Sequence, residues 1–344
     1  MGGRHPDACP PARARGPRAA VAGGTRDAMP TTPDLPTLVA AAAPGERHAA
    51  LLATPTEPIT EVPAFALRGA GPGPTLLVTA GVHGAEYASI EAAYRLAALD
   101  PAALRGTLVV LPIVNRTAYR VRAIYGNPVD GKNLNRQFPG DPAGSFAQRL
   151  AHWLTDAWVR HADAYLDLHG GDLNEALTPF ALYARGDEGA RELAEAFGLP
   201  YVIASGSAGH SYTGAATLGV PAVLAEAGGQ GLFPERDVLA LVGGTRRAMR
   251  HLGLLPGAPT PRPTIPVERF VVLTSEHEGR WYPRVRLDAR VEAGEPLGEV
   301  RDLLGNVLQA VTAPVSGTVL YYVATLAIDR GEPLVGIGAT ALPD

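Results

Sequence analysis

Between residues 75 and 252, short apolar runs alternate with longer segments whose apolar residues recur every three or four positions. No other feature constrains the fold as strongly. The runs at 75–80 (TLLVTA), 107–114 (TLVVLPIV), 164–168 (AYLDL), 180–183, 201–203 and 222–225 have the length of buried strands. The segments 86–99, 146–160, 188–197 and 235–252 have helical spacing. Parallel neighbours need a long crossover, and a helix supplies it while hiding an apolar face. The expectation is an α/β fold, with a mixed, mostly parallel sheet flanked by helices.

Proline density over 256–266 (PGAPTPRPTIP) forbids regular structure and reads as a linker. It divides a domain at 37–255 from a smaller one at 267–344. In the latter the periodicity shortens to two, with turn signals at 292–294, 304–306, 316–317 and 330–331, as in an all-β unit. The segments VEAGEPLGEVRDLLGN and VTAPVSGTVLYY resemble a biotinyl/lipoyl-type barrel. That resemblance implies an attachment lysine, yet no lysine follows Lys132, so a barrel-like cap without a prosthetic group is expected. Residues 1–36, rich in Ala, Arg, Pro and Gly and lacking a continuous apolar stretch, read as a disordered tail, with Met29 as a second candidate start.

Of the 344 residues, 46% are hydrophobic and 19% charged, with no apolar run near the roughly 20 residues of a membrane helix. The net charge of −4, without a basic stripe, argues against nucleic acid. The expected setting is cytoplasmic, with no membrane partner, and a homo-oligomer stays open. Cys9 is the only cysteine and lies in the tail with nothing to hold a base beside it. Disulfides within the chain and thiolate metal sites are thus excluded, and any metal must rest on histidines and carboxylates.

Four segments carry such chemistry. In TLLVTAGVHGAEYASIEAAYRL, His83 and Glu86 follow a strand and open a helix, so both side chains can be aimed at one ion. A carboxylate here could equally answer the helix dipole. In YLDLHGG, His169 ends a strand ahead of two glycines that would let a ligand approach, and suits the third ligand of a two-His, one-carboxylate zinc site. Asp167 shares its parity and could orient a ligand imidazole. In GVPAVLAEAGG, Glu226 ends an apolar strand, where a carboxylate must be paired or perform chemistry. In VDGKNLNRQFPG, Asn135 and Arg136 could clamp a carboxylate or merely decorate a polar turn.

This combination resembles the aspartoacylase/succinylglutamate desuccinylase family of the zinc carboxypeptidase superfamily. The resemblance implies a zinc-carboxypeptidase-like fold and one zinc per chain on His83, Glu86 and His169. It further implies Glu226 as catalytic acid/base, and Asn135 with Arg136 holding a substrate carboxylate. A further arginine should polarise the scissile carbonyl, and Arg116, Arg120 and Arg122 compete for that role, with Arg122 favoured. The activity implied is hydrolysis of the amide of a small N-acyl amino acid or related acylated amine. A metallocarboxypeptidase acting on short peptides is the nearest alternative, and a non-catalytic binding module is one of another class.

Overall fold

The structure, a computed structural model, describes residues 33–339. Cys9, Met29 and most of the expected tail lie outside the described residues. Of the rest of that tail, Asp34 caps helix α1 (Leu35–Ala40) by accepting from the Thr37 amide at 2.8 Å.

Ten strands precede the C-terminal sheets: β1 (Arg47–Ala53), β2 (Glu61–Arg68), β3 (Gly71–Ala80), β4 (Arg105–Leu111), β5 (Ala164–His169), β6 (Glu175–Leu177), β7 (Phe180–Ala184), β8 (Tyr201–Ser205), β9 (Ala222–Glu226) and β10 (Ile265–Val267). All except β6 form one sheet, in the order β1-β2-β4-β3-β5-β9-β7-β8-β10. Strands β4, β3, β5 and β9 run parallel, while β7 opposes β9 and the β1–β2 edge is antiparallel. The carboxyl ends of β3, β5 and β9 therefore share one edge. Residues 256–264 take no helix or strand, but Ile265 and Pro266 of the expected linker extend the sheet through β10.

Alternation along β3 explains the layers. Leu76, Val78 and Ala80 face one core with α2 (Tyr87–Ala97), α5 (Glu188–Phe197) and α7 (Glu235–His251), through residues such as Leu96, Phe197 and Leu241. Leu77 faces a second core, shared with α1, α4 (Phe146–Trp153) and α6 (Ser211–Ala216). Each fully buried leucine is worth about 2 kcal/mol. The short helix α3 (Arg116–Val121) follows β4. The single helix expected over 146–160 widens after Trp153 into a π turn, Leu154–Trp158, and ends in a 3₁₀ turn. Trp153 and Trp158, five residues apart, are thereby both buried, with ring centroids 5.4 Å apart.

The last segment forms β11 (Arg269–Thr274), β12 (Gly279–Pro283), β13 (Arg290–Val291), β14 (Pro296–Arg301), β15 (Val307–Thr312), β16 (Gly317–Val323), β17 (Ala327–Ile328) and β18 (Pro333–Ala339). Hydrogen bonding divides them into two antiparallel sheets, β11-β18-β16-β13 and β15-β14-β12-β17. One core serves both, built on Trp281, Leu297, Val319 and Leu334. This unit is joined to the large sheet by β6, which pairs with β16 and sets Leu177 against Tyr321. Phe270 packs on Phe180 and Tyr321 at ring distances of 5.7 and 6.2 Å. The C-terminal β unit consequently reaches the edge where β3, β5 and β9 end.

Candidate active site

His83 lies in the turn after β3, Glu86 is the residue preceding α2, and His169 is the last residue of β5. All three are buried, and their ligand atoms lie within 4.8 Å of one another. Gly84 makes the first turn possible, since a Cβ there would stand 2.1 Å from the Tyr119 nitrogen of α3. Glu86 makes no side-chain capping bond. Its oxygens instead face the two imidazoles, Oε1 at 2.7 Å from His83 Nδ1 and Oε2 at 3.0 Å from His169 Nδ1.

Neighbouring side chains fix which nitrogens are free. Asn133 Oδ1 accepts the Asn135 amide at 2.8 Å, so it must also accept from His83 Nε2, 3.0 Å away. Asp167 Oδ2 lies 2.9 Å from His169 Nε2, while Asp167 is itself held by Thr79 and Ser211 hydroxyls. With both Nε2 atoms engaged as donors, each imidazole in its neutral form keeps its Nδ1 lone pair, on the Glu86 side, for a metal. His169 Nδ1 has no hydrogen-bond partner despite its nearness to Glu86 Oε2, because the alignment is wrong. Nitrogens and carboxylate oxygens this close need a positive charge between them, a proton on Nδ1 or a metal ion, and two imidazoles with one carboxylate suit a divalent ion. The local field agrees. Burial opposes charge on His169, but Asp167 and Glu86 outweigh it and hold the imidazole well above its ordinary pKa. Burial likewise works against the Glu86 carboxylate, yet His169 and His83 bring its pKa down to about 2.

Glu226 is partnered with His169 across the β5–β9 ladder. Its Oε2 is buried without a hydrogen-bond partner, and burial together with the charge of Glu86 pushes its pKa well above that of an ordinary carboxylate. Such a group holds a proton readily. Of the glycines after His169, Gly170 lines the cavity beside Glu86, and both also permit close backbone packing. A Cβ on Gly170 would meet Ala227 O at 2.4 Å, and Gly171 donates to Gly228 O at 2.9 Å.

A cavity of about 340 Å³ opens beside His83, Glu86 and Glu226, and Asn135 and Arg136 line it as well. Asn135 Oδ1 accepts the Ser211 amide at 2.9 Å, which leaves its amide nitrogen for a ligand. Arg136 donates to Asn135 O at 2.8 Å; protein crowds it, lowering its pKa by desolvation, yet part of its surface stays exposed. Arg122 ends α3 in a left-handed conformation, exposed and outside the cavity wall. Arg116 pairs with Glu61 at 3.1 Å, and both Arg116 and Arg120 border a separate hollow beside Ile59 and Thr60.

Sequence reasoning missed several residues of this cavity. Asn133, inside the NLNR run, could have been suspected from its polarity. Tyr125, Glu175, His210, Tyr212 and Tyr321 gave no signal, because they reach the cavity from a loop, from the start of α6 and from two strands far apart in sequence.

Residues 72–252 match the succinylglutamate desuccinylase/aspartoacylase catalytic domain. The chain belongs to this family. Among its relatives, the N-alpha-acetyl-L-2,4-diaminobutyric acid deacetylase of Halomonas elongata is 32% identical over 251 residues, covering 68% of this chain and 72% of the relative. A solved succinylglutamate desuccinylase/aspartoacylase from Rhodobacter sphaeroides superposes with a TM-score of 0.75 at 27% identity, over 85% of this chain and 95% of that one. The product-bound ectoine utilization protein EutE (DoeB) from Ruegeria pomeroyi does so with a TM-score of 0.77 at 26% identity, over 86% and 95%. These family likenesses support a hydrolytic deacylase acting on small acylated amino acids, and the buried His83–Glu86–His169 group could bind a metal. No helix among the described residues is long and apolar enough to cross a membrane.

Proposed function

We propose that this chain is a zinc-dependent hydrolase that cleaves the amide bond of a small N-acyl amino acid. The observation that carries this reading is the convergence on one cavity of the His83–Glu86–His169 cluster, the unpartnered Glu226 carboxylate and the Asn135–Arg136 pair. Zinc bound by the cluster would polarise the amide carbonyl and lower the pKa of an attacking water.

The remaining work falls to side chains. Glu226 accepts the proton of the attacking water and returns it to the leaving amine, for which its raised proton affinity is suited. Arg136 and the Asn135 amide hold the free carboxylate and so orient the scissile bond. Of the three arginines considered for the carbonyl, Arg116 and Arg120 border a separate hollow with Glu61, and Arg122 lies outside the cavity wall, so Arg122 could serve the carbonyl only after a movement of the α3 end. Phe270, Val272 and Tyr321 wall the cavity from the C-terminal unit, which favours a small substrate over a peptide. The H. elongata relative, a deacetylase of an N-acetylated diamino acid, makes acetylated amino acids the first class to assay. The zinc-loaded protein should release acetate from members of an N-acetyl amino acid panel and leave short peptides intact. Faster release of C-terminal residues from peptides would replace this reading with the carboxypeptidase one.

A further inference from the structure

Besides the metal cluster, Glu226, His210 and three tyrosines, the cavity carries two ionisable side chains of opposite charge, Arg136 and Glu175. Neither belongs to a salt bridge among the described residues. They are close enough to influence each other, and Tyr321 feels both. Glu175 opens strand β6 and is half-buried. Its Oε1 accepts from the Tyr125 hydroxyl at 2.5 Å, and its Oε2 from the Asp172 amide at 3.1 Å. Each oxygen keeps a further acceptor site, and the cavity is where a ligand can reach it. Tyr212, 1% exposed, lines the same cavity with a hydroxyl that has no hydrogen-bond partner. The space is thus equipped for a ligand with more polar groups than one carboxylate and one amide.

We propose that Glu175, braced by Tyr125, forms the anionic half of a substrate subsite that takes the side-chain ammonium of an N-acylated diamino acid. This rests on the deacylase reading above and narrows it. Arg136 binds the α-carboxylate, Glu175 binds the distal ammonium, and the amide lies between them at the metal cluster. A substrate with a second carboxylate would meet Glu175 as a like charge and be refused.

The test uses three acetylated amino acids of similar length, differing in side-chain charge: Nα-acetyl-2,4-diaminobutyrate, N-acetylnorvaline and N-acetylglutamate. The zinc-loaded parent should favour the cationic compound over the neutral one in kcat/KM by about 10- to 100-fold, chiefly through KM, and act least on the anionic one. In Glu175→Gln the ratio of cationic to neutral should collapse to within about threefold. Tyr125→Phe, which leaves the carboxylate, should retain the preference. A Glu175 that only braced its loop would alter all three substrates alike and leave the ratio standing, which overturns the proposal. Should the variant not fold, the parent's own ratio decides, since equal rates on the cationic and neutral compounds refute the subsite alone. Turnover of none of the three would fell the deacylase reading and this inference together. Calorimetric binding of the free amino acids 2,4-diaminobutyrate and norvaline repeats the comparison without catalysis, with the diamino acid expected to bind about 10-fold tighter or more.

Discussion

His169 and Glu226 occupy partnered positions at the carboxyl ends of the adjacent parallel strands β5 and β9. Because the two backbones are locked in register, the imidazole that would hold a metal and the carboxylate that would move protons are set side by side without a flexible loop between them. The first two expectations follow from this pairing.

The protein should bind one zinc per chain, and the His83→Ala, His169→Ala double variant should lose it while remaining folded. Asp167→Asn should keep the ligands but weaken metal affinity by about 10- to 100-fold, since Asp167 sets the tautomer of His169. Elemental analysis and competition with a chromophoric chelator measure both. Full occupancy in the double variant would remove these residues from the ligand set.

Glu226→Gln should retain fold and metal yet lose turnover by about 10²-fold or more, because an amide of the same size cannot shuttle a proton. Steady-state kinetics beside a metal assay give the answer. A kcat within a fewfold of the parent would move the acid/base role elsewhere.

Substrates should depend on a free α-carboxylate. Arg136 is exposed to solvent, so water can compensate part of a lost partner, and converting the carboxylate to a methyl amide should cost about 10-fold in kcat/KM rather than the larger loss of a fully buried site. Arg136→Ala should erase most of the difference. Equal parental rates on acid and amide would dismiss the clamp.

His210 should stay neutral well into the acid range. Burial depresses its pKa to about 4, assisted by Arg136, and its Nδ1 donates to the Ser207 and Ala208 carbonyls at 3.1 and 3.2 Å. Between that value and the ordinary 6.5 the unfolded chain binds the extra proton and the folded one does not. The contribution of His210 to stability is therefore complete above about pH 6.5 and declines as the pH falls toward 4. An NMR titration of its ring carbons should show the low midpoint, and His210→Gln should flatten that part of the stability profile. A midpoint near 6.5 would contradict the expectation.

The sequence by itself determined the alternation of strands and helices, because burial on a sheet and on a helix leaves different periodicities. Segments 188–197 and 235–252 reappear as α5 and α7 to within a residue. It also singled out His83, Glu86, His169, Glu226, Asn135 and Arg136, each at a strand end or in a glycine-rich turn where an apolar pattern breaks at a polar residue. Only the tertiary structure decided what surrounds them. Asp167, legible beforehand from its parity with His169, fixes one imidazole tautomer from the same strand, whereas Asn133 fixes the other from a segment 50 residues from His83, and β7 runs against its neighbour β9, a reversal the run at 180–183 does not encode. Tyr321 enters the cavity because β16 pairs with β6, and Glu175 faces it because that pairing holds the loop after His169 in place. Such long-range pairings depend on which edges are left open once the whole chain has packed, so no local window of sequence contains them.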